Sequence, residues 1–134
     1  MGYFLNSFPE NIDSKSYNAL KEIMKTKFHD FLQSYVDSMD KYIGMAETGL
    51  SQSDFRLVQQ NVHPVKSTSY TLGAMKLGHM AEIIEDLIEA RVENNDMLTA
   101  EEISPLYRDL ADEYKIVRTF LLEEMANTHT DHQD

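Results

Sequence analysis

Between Phe28 and Ala46 an apolar residue returns at every third or fourth position, in the series Phe28, Phe31, Leu32, Tyr35, Val36, Met39, Tyr42, Ile43, Ala46. A strand changes sides every second residue, so only an α-helix gathers this set onto one face. Five turns of apolar stripe have to be covered by something, and the rest of the chain supplies matching stripes. Tyr17, Leu20, Ile23 and Met24 make a short helix upstream, with Asp13 or Ser14 to cap its first amides. Downstream, one stripe runs Phe55, Val58, Val62, Val65, Ser69, Leu72 and the next Leu77, Ala81, Ile84, Ile88, Val92. The last comprises Ile103, Leu106, Leu110, Tyr114, Val117, Leu121 and Met125.

The boundaries carry their own signals. Gly49 reads as the stop of the long helix, through the positive φ that other residues resist, and Ser51 or Ser53 as the cap of the helix that follows. Gly73 reads as a second stop or as a close approach between helices, and Asn94, Asn95 and Asp96 end the fourth stripe. Pro105 suggests a separate turn over residues 99–104, with Ser104 capping a fresh start. Pro64 has no N–H for the Gln60 carbonyl, so its helix is expected either to bend near residue 63 or to restart there. Short connections make consecutive helices neighbours. The expectation is an all-α protein, an antiparallel up-down four-helix bundle with an additional short N-terminal helix. Residues 1–126 form its single domain, with Tyr3, Phe4 and Phe8 in a packed arm, and residues 127–134 a flexible polar tail.

A chain of 134 residues can bury a core without disulfides or metal, and this one has no cysteine. No apolar run approaches the ~20 residues of a membrane span, so a cytoplasmic protein with no membrane partner is expected. Net charge is −11, from 23 acidic and 12 basic residues, which argues against nucleic acid. No metal site is expected either. A di-iron bundle needs Glu-x-x-His pairs, and none of the five histidines has a glutamate three residues before it.

His63 lies off the third apolar stripe. Its face also carries Arg56, Gln59, Gln60, Lys66, Ser67 and Tyr70, which turns the imidazole toward solvent with an ammonium one helical turn away. An ordinary histidine, with a pKa of about 6.5, is substantially neutral near pH 7 and can act as a nucleophile. Lys66 can offset the roughly −1.5 to −2 charge of a phosphoryl group.

His63, Lys66, the small residues Ser67 to Ser69, Leu72, Gly73 and Ala74, and then Leu77, Ala81, Ile84 and Glu85, together resemble the signature of histidine-containing phosphotransfer domains. Ser67 stands where that family usually has glycine. The resemblance implies the same helical bundle, with His63 as phosphoacceptor and Glu85 accepting the Nδ1 proton so that Nε2 is free to attack. Glu85→Gln is expected to be tolerated, since an amide oxygen also accepts. Ser67, Tyr70, Gly73, Gln59 and Gln60 are the expected close-approach and docking residues, Tyr70 being equally readable as packing. The implied partners are response-regulator receiver domains and a hybrid sensor kinase. Mg²⁺ is expected in the partner receiver only, and this chain needs no cofactor. No ATP-binding apparatus is visible, so the expected protein is a monomeric phosphoryl carrier, not an enzyme. The alternative from another class is a non-catalytic helical adaptor that binds a partner without phosphorylation.

Overall fold

The computed structural model describes residues 8–133, with side-chain surroundings described as far as Asn127. Tyr3 and Phe4 of the expected arm lie outside the described residues. The described residues form five α-helices and no strand: α1 Ser14–Met24, α2 Phe28–Ser51, α3 Phe55–Leu72, α4 Met75–Glu93 and α5 Ala100–Gln133, with a 3-10 turn at Lys25–Lys27 between α1 and α2.

α2, α3 and α4 end alike. Ser53 (φ 54), Gly73 (φ 101) and Asn95 (φ 58) adopt the left-handed conformation. In each case the next residue's N–H turns back to a carbonyl five positions earlier, Asp54 to Gly49 at 2.7 Å, Ala74 to Ser69 at 2.8 Å and Asp96 to Arg91 at 2.9 Å. This closure satisfies carbonyls that a helix end otherwise leaves bare and reverses the chain within a few residues. The next helix therefore packs antiparallel on the last. Paired residues run in opposite directions at every seam: Tyr35 with Ser69 and Met39 with Thr68 across α2 and α3, Arg91 with Glu102 and Lys76 with Glu113 across α4 and α5. Tyr107 donates to the Ile43 carbonyl and Tyr114 reaches that of Val36, which closes the ring between α5 and α2. The fold is the expected four-helix bundle with a short N-terminal helix.

Each expected stripe supplies the core, and the exceptions sit at helix ends. Val92 and Ile23 are exposed, and each lies in the last turn of its helix. Tyr107, Phe120 and Ile12 are buried in addition. Phe8 packs edge-on against Tyr17 and also meets Phe120, so the described part of the arm closes one end of the bundle.

Three boundary expectations need correction. Gly49 does not stop α2: the helix runs on to Ser51, and a Cβ at 49 would come within 2.9 Å of the Asp54 carbonyl and 3.0 Å of Val58. It is glycine because the first turn of α3 lies against it. Neither Ser51 nor Ser53 caps α3. Asp54 does, accepting from the Leu57 amide at 3.1 Å, because Ser53 is spent on the left-handed turn. α5 shows no break at Pro105 and no fresh start at Ser104, whose hydroxyl instead bonds the Ala100 carbonyl. The start is set earlier by Thr99, whose amide and hydroxyl both donate to Glu102. α5 also continues to Gln133, so the backbone of the expected tail is helical through that residue.

The α2–α5 seam carries a polar clasp. Arg118 donates from Nε and Nη2 to the two oxygens of Asp40, at 3.0 and 3.1 Å, and the Tyr114 hydroxyl meets Asp40 Oδ1 at 2.6 Å. Burial pushes the Asp40 carboxyl up, but the hydrogen bonds from Arg118 and Tyr114 outweigh it and leave it below its ordinary value of 3.8. A depressed carboxylate pKa contributes stability that is complete above the unfolded value and disappears as pH falls through the folded one. Asp40→Asn should therefore cost about 1 kcal/mol at pH 7. In urea titrations the gap from wild type should close as the pH drops below 3.8.

Candidate functional site

α3 is a single uninterrupted helix with Pro64 inside it, so the expected restart near residue 63 does not occur. Proline removes one backbone hydrogen bond, while Val58, Val62, Val65 and Leu72 are fully buried on both sides of it. The core stripe holds the two halves together. His63 consequently sits mid-helix on the face opposite that stripe, with its side chain 63% exposed.

Glu85 comes from the middle of α4, at the edge of the stripe formed by Leu77, Ala81, Ile84 and Ile88. Its side chain is only 10% exposed and reaches across the seam to α3 with both oxygens engaged. Oε2 is hydrogen-bonded to His63 Nδ1. Oε1 is buried without a hydrogen bond of regular geometry, and the Lys66 ammonium lies 2.6 Å from it. Burial pushes the Glu85 carboxyl up, yet the bonds from Lys66 and His63 prevail and hold it below the usual carboxylate range. An ionised carboxylate can only accept, so its bond to a neutral ring calls for the proton on Nδ1, the tautomer that carries the lone pair on Nε2.

Lys66 is raised above its ordinary value, chiefly by its bond to Glu85, with Glu82 and Asp86 adding attraction. These two acids were not singled out in the sequence. Their signal was present, since positions 82, 85 and 86 share one face of α4. Gly78 went unnoticed for a different reason. The Tyr70 ring lies over it so closely that a Cβ there would come within 2.8 Å of ring carbons, a contact no sequence pattern reports. The Tyr70 hydroxyl donates to Glu82 Oε1 at 2.8 Å.

Of the other expected site residues, Gln60 and Ser67 are exposed on the His63 helix and Gln59 is half-buried. Ser67 borders a shallow groove between α2 and α3 with Phe31, Thr68 and Thr71. Gly73 is not at a docking surface. It is buried at the end of α3, where its carbonyl accepts from the Asp13 amide at 2.8 Å and a Cβ would stand 2.9 Å from the Asp13 carbonyl. It is both the helix stop and the close approach that the sequence left open, with α1 as the neighbour.

A family model for the Hpt domain matches residues 30–127. The chain belongs to that family. It is thus a histidine phosphotransfer protein of the phosphorelay type, in a family of phosphocarriers and not enzymes. Among solved structures, the histidine-containing phosphotransfer protein B from Pseudomonas aeruginosa PAO1 superposes with a TM-score of 0.77 over 90% of this chain and 98% of that one. At 19% identity this likeness speaks for the Hpt fold alone. No curated protein matches the chain. Among the described residues, no helix is long and apolar enough to cross a membrane.

The placement of Gly73 gives a test of its role in this Hpt domain. Gly73→Ala forces a left-handed alanine against the Asp13 backbone and should cost about 2–4 kcal/mol in chemical denaturation. Any activity measured on the fraction that remains folded should be that of wild type, because the residue is buried away from the His63 face.

Proposed function

We propose that His63 is the phosphoacceptor, taking a phosphoryl group from the aspartyl phosphate of one receiver domain and passing it to the aspartate of another. The observation that carries this is the division of the imidazole. Nδ1 is engaged by a buried carboxylate while the ring stands exposed.

In the forward step the Nε2 lone pair attacks phosphorus and forms the N–P bond as the acyl O–P bond breaks. The electron pair of that bond leaves with the donor's carboxylate. No proton has to depart from Nε2. The ring gains positive character, and Glu85, bonded to Nδ1–H, is placed to offset it. Return transfer reverses these events. Phosphoryl transfer of this kind depends on positioning and on charge neutralisation at the phosphate oxygens, a task for Mg²⁺ bound in the receiver.

Receiver domains and a hybrid sensor kinase are the proposed partners, in keeping with the Hpt family, and a monomer in the cytoplasm is the proposed state. Exposed Gln60 and Ser67 on the His63 helix support docking across this face. Tyr70, braced between Gly78 and Glu82, would form its fixed edge.

Incubation with a panel of phosphorylated receivers should label the protein with acid-labile, alkali-stable phosphate, and His63→Gln should abolish the label. The substitution exchanges the Nδ1–H donor to the buried Glu85 for an amide NH₂, so it should cost about 1 kcal/mol in chemical denaturation, more than an ordinary surface change. Labelling of His63→Gln at the wild-type rate would remove His63 from the reaction. A protein that binds receivers yet is never labelled would be an adaptor.

A further inference from the structure

Lys66 stands one turn from His63, where an incoming phosphoryl group would call for a cation. Its ammonium is nevertheless turned inward onto Glu85 Oε1, and its side chain is 25% exposed against 63% for His63. No other described residue answers the charge on that buried oxygen. We infer that Lys66 is a positioning residue acting through Glu85: by holding Oε1 it keeps Glu85 a hydrogen-bond acceptor toward Nδ1, which fixes the neutral His63 with its proton on Nδ1 and its lone pair on Nε2.

The chemistry leaves Glu85 two forms with opposite effects. As a carboxylate it accepts from Nδ1–H, and Nε2 is free. As a carboxylic acid it donates to Nδ1, the ring proton moves to Nε2, and the nucleophilic lone pair is gone. Burial favours the neutral acid, and a cation in contact favours the carboxylate. The ammonium also limits rotation of the carboxylate, which otherwise is fixed only by the exposed ring. Glu82 and Asp86 attract the same ammonium from α4 and keep it at this seam.

The meaning of this device for transfer rests on the reading of His63 as phosphoacceptor, but the tautomer is a property of the resting protein and is measured without any partner. Ring ¹⁵N shifts of the unphosphorylated, ¹⁵N-histidine-labelled full chain, at a pH where the neutral imidazole dominates, distinguish the two forms. Wild type should show the Nδ1–H form. Lys66→Met should move the ratio toward Nε2–H by roughly fivefold, the scale of a part-exposed ion pair, and Lys66→Arg should restore it.

Glu85→Gln sharpens the test. With Lys66 present the ammonium claims the amide oxygen, the NH₂ turns to Nδ1, and the Nε2–H form should dominate. Glu85→Gln is therefore tolerated only when Lys66 is also removed: the double variant Glu85→Gln, Lys66→Met frees the oxygen for Nδ1–H and should recover the wild-type tautomer. Transfer from a phosphorylated receiver should follow the same order. Lys66→Met and Lys66→Arg keep Glu85 in place, so they decide the matter even if Glu85→Gln fails to fold. A wild-type tautomer ratio in Lys66→Met would overturn the inference, as would a double variant no richer in Nδ1–H than Glu85→Gln alone. A wild-type chain that shows the Nδ1–H form but takes no phosphate from any receiver would sink the proposed function and leave this inference standing.

Discussion

A carboxylate buried between two helices stays ionised only if both oxygens are answered, and Glu85 is answered by two residues one turn apart on the same neighbour. His63 takes Oε2 and Lys66 faces Oε1. This fixes the rotation of α3 against α4 more tightly than apolar packing does, because hydrophobic contact is non-directional whereas these bonds are not. A turn of about 100° on α3, one residue, would bring Val62 out of the core and carry His63 away from the seam. The site and the core stripe are two readings of one helical register.

That register needs α3 and α4 to approach closely along their length, and small residues make the approach possible. Gly73 and Ala74 reverse the chain in two residues, with Ala74 and Ser69 joined through their backbones. Ala81 is fully buried, and Gly78 leaves room for the Tyr70 ring. The other seams support this pair without sharing its chemistry. Tyr35 and Ser69 hydrogen-bond at 2.8 Å in the core between α2 and α3. Across α5, the buried Glu113 accepts from Asn11 at 2.7 Å and lies 3.8 Å from the Lys76 ammonium, which ties the arm to the bundle. The exposed histidine thus stands on a platform whose seams are each pinned by at least one directional bond.

Helix number, order and apolar faces were legible in the sequence because periodicity reports burial directly, and Phe28 to Ala46 or Val58 to Leu72 leave no competing pattern. Helix ends were less legible. Gly49 has the right residue type for a stop, but its reason is contact with α3, while Ser53 takes the left-handed turn that glycine was expected to take. Asp54, Ser51 and Ser53 are all able caps, and only the path of the chain selects Asp54. The meeting of His63 and Glu85 was anticipated through resemblance, since 22 residues separate them and no local rule links the two. The inward turn of Lys66 was not anticipated. A lysine at i+3 has both the ring and the opposite helix within its reach, and the choice between them is made by the buried oxygen on α4.

That choice bears on how well this face can hold a phosphoryl group. Such a group adds a charge of about −1.5 to −2 beside a histidine whose nearest cation already faces Glu85 and is drawn by Glu82 and Asp86 as well. To reach the phosphate the ammonium would have to leave a buried oxygen bare, and the cost of an uncompensated buried charge opposes that move. On the proposed role, the phosphorylated state is therefore stabilised little by its own protein. For a carrier this is an advantage, because each unit of stabilisation given to the intermediate would be added to the barrier for passing the group on. On that reading Lys66 and Glu85 serve to aim a lone pair, and neutralisation of the phosphate would fall to a partner receiver with its own metal.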